Sequence, residues 1–234
     1  MKGLLVVLLL LVGLAVVADR VAVGFAQDRV ARVLADKGDL HGTPKVVIGG
    51  FPFLTQAVAG RYDDVRIALT AAELGQPAGT RADVDLRGVR VPLSDVLSGS
   101  VHDVQVDRLD GTATLSYALL SSKLGPGTRL TREGDGLRIT RTVQILGQTI
   151  PLTAVGTVTL EGSELVVHVS RATGAGVSVP APLLERATGL LALRYSLPKL
   201  PFGLTLAGVA PAADGVEVHV EGKDTVLGGR VTPE

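Results

Sequence analysis

No cysteine and no tryptophan occur among the 234 residues of this chain. Without cysteine there is no lipobox and no disulfide, so the chain must fold on its apolar core alone. Aromatic residues make up only 3% of the sequence, too few for the stacking platforms that hold bases. No excess of one charge exists either. Lys+Arg and Asp+Glu both number 23, for a formal net charge of zero. That balance argues against a basic nucleic-acid surface and against strong polybasic attraction to anionic lipid. What the chain has in abundance is aliphatic side chains and glycine, the composition of a strand-rich protein with an aliphatic interior. Its length suits one substantial domain, which at this size buries roughly 70 per cent of the surface its unfolded chain exposes.

The N-terminus is the most informative stretch. Lys2 precedes an uncharged run, Gly3 to Ala18, and charge resumes at Asp19-Arg20. One positive residue, an apolar core and small residues near Ala18 describe a secretory signal, with Val16 and Ala18 placed for cleavage. The run is shorter than the roughly 20 residues of a comfortable membrane span. Cleaved signal, uncleaved anchor and ordinary buried helix all fit the segment. The expected organisation is residues 1–18 as signal peptide or N-terminal membrane anchor and residues 19–234 as a single domain, exported to the cell envelope or a periplasm-like space.

After the leader, Val23, Ala26, Val30, Val33 and Leu34 recur at three- and four-residue spacing and predict a helix over 19–37, stopped by Gly38. The pattern then changes to period two. Residues 45–49, 61–69, 80–88, 101–109 and 112–117 read as strands, and Asp110-Gly111 as a hairpin turn between the last two. Residues 116–124 fit a short helix. Strands follow around 137–143, 149–160 and 165–169, then a helix over 180–193, then strands at 204–209 and 216–220. The fold class is α+β with a large antiparallel sheet.

Chemistry-bearing motifs are scarce. His41, His102, His168 and His219 lie outside metal-motif spacing of one another. His168 and His219 alternate with valines and read as solvent-side strand residues. Asp63-Asp64 and Asp83/Asp85 have no loop like that of an EF-hand around them. Ser94-Asp95, Ser121-Ser122 and Ser170-Arg171 lack a matching base or a nucleophile elbow. Gly49-Gly50 is not followed by the lysine and hydroxyl of a phosphate loop. The expectation is a protein that is not an enzyme, with no cofactor and no metal.

Two apolar segments stand out instead. Phe51, Phe53 and Leu54 follow a strand directly, and Leu200, Phe202 and Leu204 lie in a late loop. Each set either plugs the end of the core or lines the mouth of an apolar cavity.

The string GGFPFLTQAVAGRYDDVRI, residues 49–67, resembles the signature of the actinobacterial LmeA-like phospholipid-binding family. Further matches follow in order, at Leu86-Arg87-Gly88-Val89, at Val91-Pro92-Leu93-Ser94-Asp95, around Gly111 to Tyr117, and at Leu197-Pro198 and Gly203-Leu204. The resemblance spans roughly residues 15–228, and residues 49–67 are its specific part. It implies a curved antiparallel sheet wrapped around a long helix, similar to tubular lipid-binding domains. It also implies an envelope-associated protein whose partners are phospholipid and the outer face of the cytoplasmic membrane, with no nucleic acid. On that basis Phe51, Phe53, Leu54, Leu200, Phe202 and Leu204 are the expected lipid-cavity residues. Arg61, Arg66 and Arg87 are the expected head-group contacts, because a guanidinium gives phosphate two parallel bonds. The competing expectation is a membrane-tethered structural domain with a dry core that binds another envelope protein.

Overall fold

The computed structural model describes residues 2–92, 94–95, 103–123, 127–145, 148–174, 177–178, 194–197, 200 and 203–228. The predicted helix over 180–193 and the side chain of Phe202 lie outside the described residues.

The leader and the helix after it form one element, α1, Lys2–Lys37. Nothing in the sequence breaks it at residue 18, since Asp19 and Arg20 are tolerated in a helix interior. It ends where Gly38 N–H bonds the Leu34 carbonyl at 2.9 Å and Asp39 turns left-handed at φ 49°. Residues 2–18 are exposed all round, whereas Asp19, Val23 and Ala31 are buried against the body.

The strands form two curved antiparallel sheets rather than one. The first holds β1 (Lys45–Ile48), β2 (Arg61–Leu69), β3 (Arg81–Arg90), β4 (Val104–Ser116), β12 (Gly215–Leu227) and β11 (Thr205–Pro211), in that order. The second runs β10 (Arg194–Ser196), β8 (Glu164–Gly174), β7 (Gln148–Glu161), β6 (Gly136–Ile145) and β5 (Thr128–Glu133), with β9 (Val177–Ser178) also on β8. Two short helices complete the described elements: α2 (Phe53–Ala59) between β1 and β2, and α3 (Tyr117–Lys123) after β4.

The hairpin expected at Asp110-Gly111 does not form. Both residues lie inside β4, where Gly111 pairs with Val84 on one side and Val220 on the other. Asp-Gly favours a tight turn only when both residues take positive φ. Here two full-length neighbours hold the backbone extended, and pairing on both sides overrides the local preference. Strand β5 was not foreseen. Its sequence, TRLTRE, carries one apolar residue, Leu130, which is 3% exposed in the core.

Two apolar cores share the inner face of the first sheet. One packs α1 through Ala31 and Leu34 onto Val46, Val65, Leu86, Val106 and Leu109. The other joins Val216 and Val218 of β12 to Leu130, Leu137, Ile139, Leu165 and Val167 of the second sheet, closed by Leu120 of α3. The helix thus covers one end of the first sheet and the second sheet covers the other.

Candidate functional site

Residues 49–64 form a compact corner where α1 meets the first sheet. Gln56 is buried at its centre. Its Nε2 donates to the Gly49 carbonyl at 3.1 Å, and its Oε1 accepts from Asp63 N–H at 2.9 Å. One side chain thereby ties the exit of β1 to the entry of β2. Gly50, at φ 84°, lies under the Gln56 amide, where a Cβ would stand 2.5 Å from Nε2. Gly60 closes α2 in the left-handed conformation at φ 63°. Thr55 Oγ1 donates to the Pro52 carbonyl at 2.8 Å, and the Phe51–Pro52 bond is cis. Phe53 is 5% exposed and packs on Tyr62 with ring centroids 6.1 Å apart. Burial raises the Tyr62 hydroxyl above its ordinary pKa.

The expected cavity residues therefore fall into different settings. Phe53 plugs the corner. Phe51 and Leu54 are 63% and 42% exposed, and so face outward. Leu200 is half-buried, and Leu204 is half-buried against the helix-facing core.

Of the three expected head-group arginines, Arg66 and Arg87 alternate with the buried Val65 and Leu86 and lie on the outer face of the first sheet, while Arg61 is exposed at the start of β2. Arg61 pairs with Asp107 at 3.0 Å, and Asp107 also takes Arg90. Arg66 reaches Asp64 at 3.0 Å and Asp85 at 3.3 Å. Arg87 differs. It stands directly opposite Arg108, which stands opposite Lys223, so three exposed cations form one row across β3, β4 and β12. Among the described residues none of the three has an ion pair. Two residues along the strands lies a row of opposite sign, Asp85, Asp110 and Glu221. The spacing alone conceals both rows, because strand pairing creates them.

The inner face of the first sheet has a different character. A row crosses all six strands as Val46, Ile67, Val84, Gly111, Val220 and Leu206. Every member except Val46 is only half-buried. The next row is Leu69, Ala82, Ala113, Val218 and Val209. Toward β1 these rows run into the helix-covered core through Val46, Ile67 and Val84, toward β11 they run into the core shared with the second sheet through Val218, Leu206 and Val209, and they carry no charge. Glycine and alanine form the middle of the floor. With strands about 4.8 Å apart, six strands make the first row roughly 24 Å long.

A separate cleft of about 400 Å³ opens beside the corner, lined by Ala59, Gly60, Arg90, Pro92, Asp95, Asp103 and Gln105. Among the described residues no three His, Asp or Glu side chains cluster closely enough to hold a metal ion. His168 is exposed on β8, 2.8 Å from Glu161, and His219 is exposed on β12, 3.2 Å from Thr112 Oγ1.

The fold is thus α+β, with antiparallel sheets, an uncharged inner band and a long apolar N-terminal helix. The family model described as LmeA-like phospholipid-binding matches residues 17–221, and the chain belongs to that family. No curated protein and no solved structure matches it.

Proposed function

We propose that this protein binds phospholipid without catalysing a reaction, at the outer side of the cytoplasmic membrane, with an acyl chain laid along the inner face of the first sheet. The observation that carries this reading is the uncharged, half-buried band from Ile67 to Leu206. An acyl chain spans about 15 Å, half of a hydrocarbon core of roughly 30 Å, so the band is long enough. Burial contributes about 0.8 kcal/mol per methylene, and no polar partner is needed for that term. Ala82, Gly111 and Ala113 leave room over the sheet where larger side chains would fill it. Leu204 packs on the helix-facing core, and family membership supplies the ligand class. In this reading the sheets and α1 act as one unit, similar to a tubular lipid-binding domain, with α1 serving as signal or anchor.

Phosphate contacts fall to Arg87, with Arg108 and Lys223, because Arg61 and Arg66 are already paired. The row lies on the outer face, so it meets head groups of the membrane surface rather than the buried lipid's own.

Native mass spectrometry of the purified protein tests the reading. Stoichiometric lipid that survives detergent exchange is expected. A lipid-free mass from cells rich in phospholipid would instead favour a tethered scaffold with a dry core.

A further inference from the structure

The apolar run of α1 measured on the sequence, residues 3–18, is about 24 Å long at 1.5 Å per residue, short of a hydrocarbon core of roughly 30 Å. The fold lengthens it. Asp19, the first charge after the run, is 2% exposed and accepts from Leu54 N–H at 2.8 Å. Arg20 bonds Asp19, and its guanidinium lies 5.1 Å from the centre of the Phe51 ring. Both charges turn toward the corner around α2. The opposite side of the helix stays apolar, with Val21 and Phe25 67% and 70% exposed. The next ionisable residue is Asp28. Counted on that side, the apolar stretch covers residues 3–26, about 36 Å.

At the same level the corner presents its own apolar side chains. Phe53 and Gln56 point inward, and Leu54 and Val58, four residues apart on α2, point outward. Val58 is 76% exposed, and Phe51 stands beside them. Scattered exposed aliphatics need no explanation, but a patch continuous with a membrane-length helix does.

We infer that Val21, Phe25, Phe51, Leu54 and Val58 form a collar seated in the head-group boundary of the bilayer that α1 crosses. This rests on the reading of α1 as a retained membrane helix. The occupant is lipid because the collar begins where the apolar helix reaches the body. α1 is unbroken from Lys2 to Lys37, so no linker lets the corner swing away from the surface. Arg20 suits this boundary, since a long basic side chain keeps its stem in apolar surroundings and its charge at the phosphates. The seating places the cleft beside Gly60 and Arg90 at the membrane surface, with the second sheet at the far end of the body.

The absence of tryptophan makes the test direct. Full-length protein carrying Val58→Trp, Leu54→Trp, Phe25→Trp or, on the second sheet, Thr157→Trp is reconstituted in phosphatidylglycerol–phosphatidylethanolamine vesicles with brominated acyl chains. Quenching of the Val58, Leu54 and Phe25 reporters is expected, with Thr157→Trp unchanged. Quenching of Phe25→Trp alone would overturn the collar while leaving the membrane helix. Blue-shifted but unquenched emission at residue 58 would assign the patch to a second copy of the chain and overturn it too. Loss of residues 1–18 from the intact mass of cell-derived protein would remove its premise. Lipid retained in the body is measured separately on the same preparations. A bound lipid with an unquenched Val58→Trp would sink the collar and spare the proposed function, and the reverse result would do the opposite.

Discussion

The Asp19 carboxylate accepts a hydrogen bond from the main-chain N–H of Leu54 at 2.8 Å, 35 residues away. The contact joins the end of the apolar leader to the first turn of α2. It also explains how an acid directly after an apolar run is accommodated. The orphan amides at a helix start need acceptors, and Asp19 serves as one from another element. A buried carboxylate in turn needs donors, and Leu54 and Arg20 provide them.

Removing that acceptor should loosen α2 without touching the sheets. In Asp19→Ala, amide exchange across residues 53–59 should speed up while β3, β4 and β12 keep their protection. Asp19→Asn retains an acceptor oxygen and should fall between the two. Exchange identical to the parent protein in Asp19→Ala would show that the corner holds without α1.

Gln56 is the second tie. Gln56→Ala leaves the Gly49 carbonyl and the Asp63 N–H without their partner in a part-buried setting. Each unsatisfied group costs about 1–3 kcal/mol. Gln56→Glu keeps the acceptor for Asp63 but turns a carboxylate oxygen toward the Gly49 carbonyl in a buried site, so it should cost at least as much as the alanine variant. Urea midpoints of both variants against the parent give the ordering. Equal midpoints for all three would remove Gln56 from the account of the corner.

Phe51 and Phe53 stand two residues apart and should behave oppositely. Phe53→Asp places a charge in a site that is 5% exposed and should lower stability by more than about 4 kcal/mol. Phe51→Asp changes a side chain that is 63% exposed, so its urea midpoint should stay close to the parent's while bromolipid quenching of a Val58→Trp reporter in the same chain weakens. A folded Phe53→Asp with normal stability would contradict its role as a plug.

Much of this architecture was legible in the sequence, for reasons that can be named. Alternation in residues 61–69 and 80–88 located β2 and β3, because one face is buried and the other is wet. The segment from Gly49 to Ile67 identified the family, and its residues prove to be corner-building parts: Gln56, Gly60 and the buried Phe53. Helix α2 was not legible, since it has seven residues and follows directly on Phe51-Pro52. Asp110-Gly111 misled because a turn dipeptide and a small residue in a wide central strand look alike locally. The cation row Arg87, Arg108 and Lys223 draws on three strands up to 136 residues apart, and the inner apolar rows draw on six and five strands. Register, not spacing, brings them together.

The inner band can be tested at one position with a control next to it. Gly111 lies in extended backbone, and a Cβ there would meet Val220 Cβ at 3.7 Å and Leu109 Cδ2 at 3.8 Å, ordinary contact distances. Gly111→Val should therefore fit the strand. A β-branched residue suits β4 better than glycine and should hold or raise the stability, by about 0.5–1 kcal/mol, and with it the urea midpoint. It also fills the floor of the band midway along its length. Thr112→Val adds no comparable bulk and points to the opposite face, where Thr112 Oγ1 lies 3.2 Å from Nδ1 of the exposed His219. If the acyl chain lies on the inner face, Gly111→Val should lose most of its co-purified lipid while remaining fully folded, and Thr112→Val should keep it. Native mass spectrometry and urea midpoints on the same samples separate the two effects. Retention of lipid by a stable Gly111→Val would place the acyl chain elsewhere in the protein.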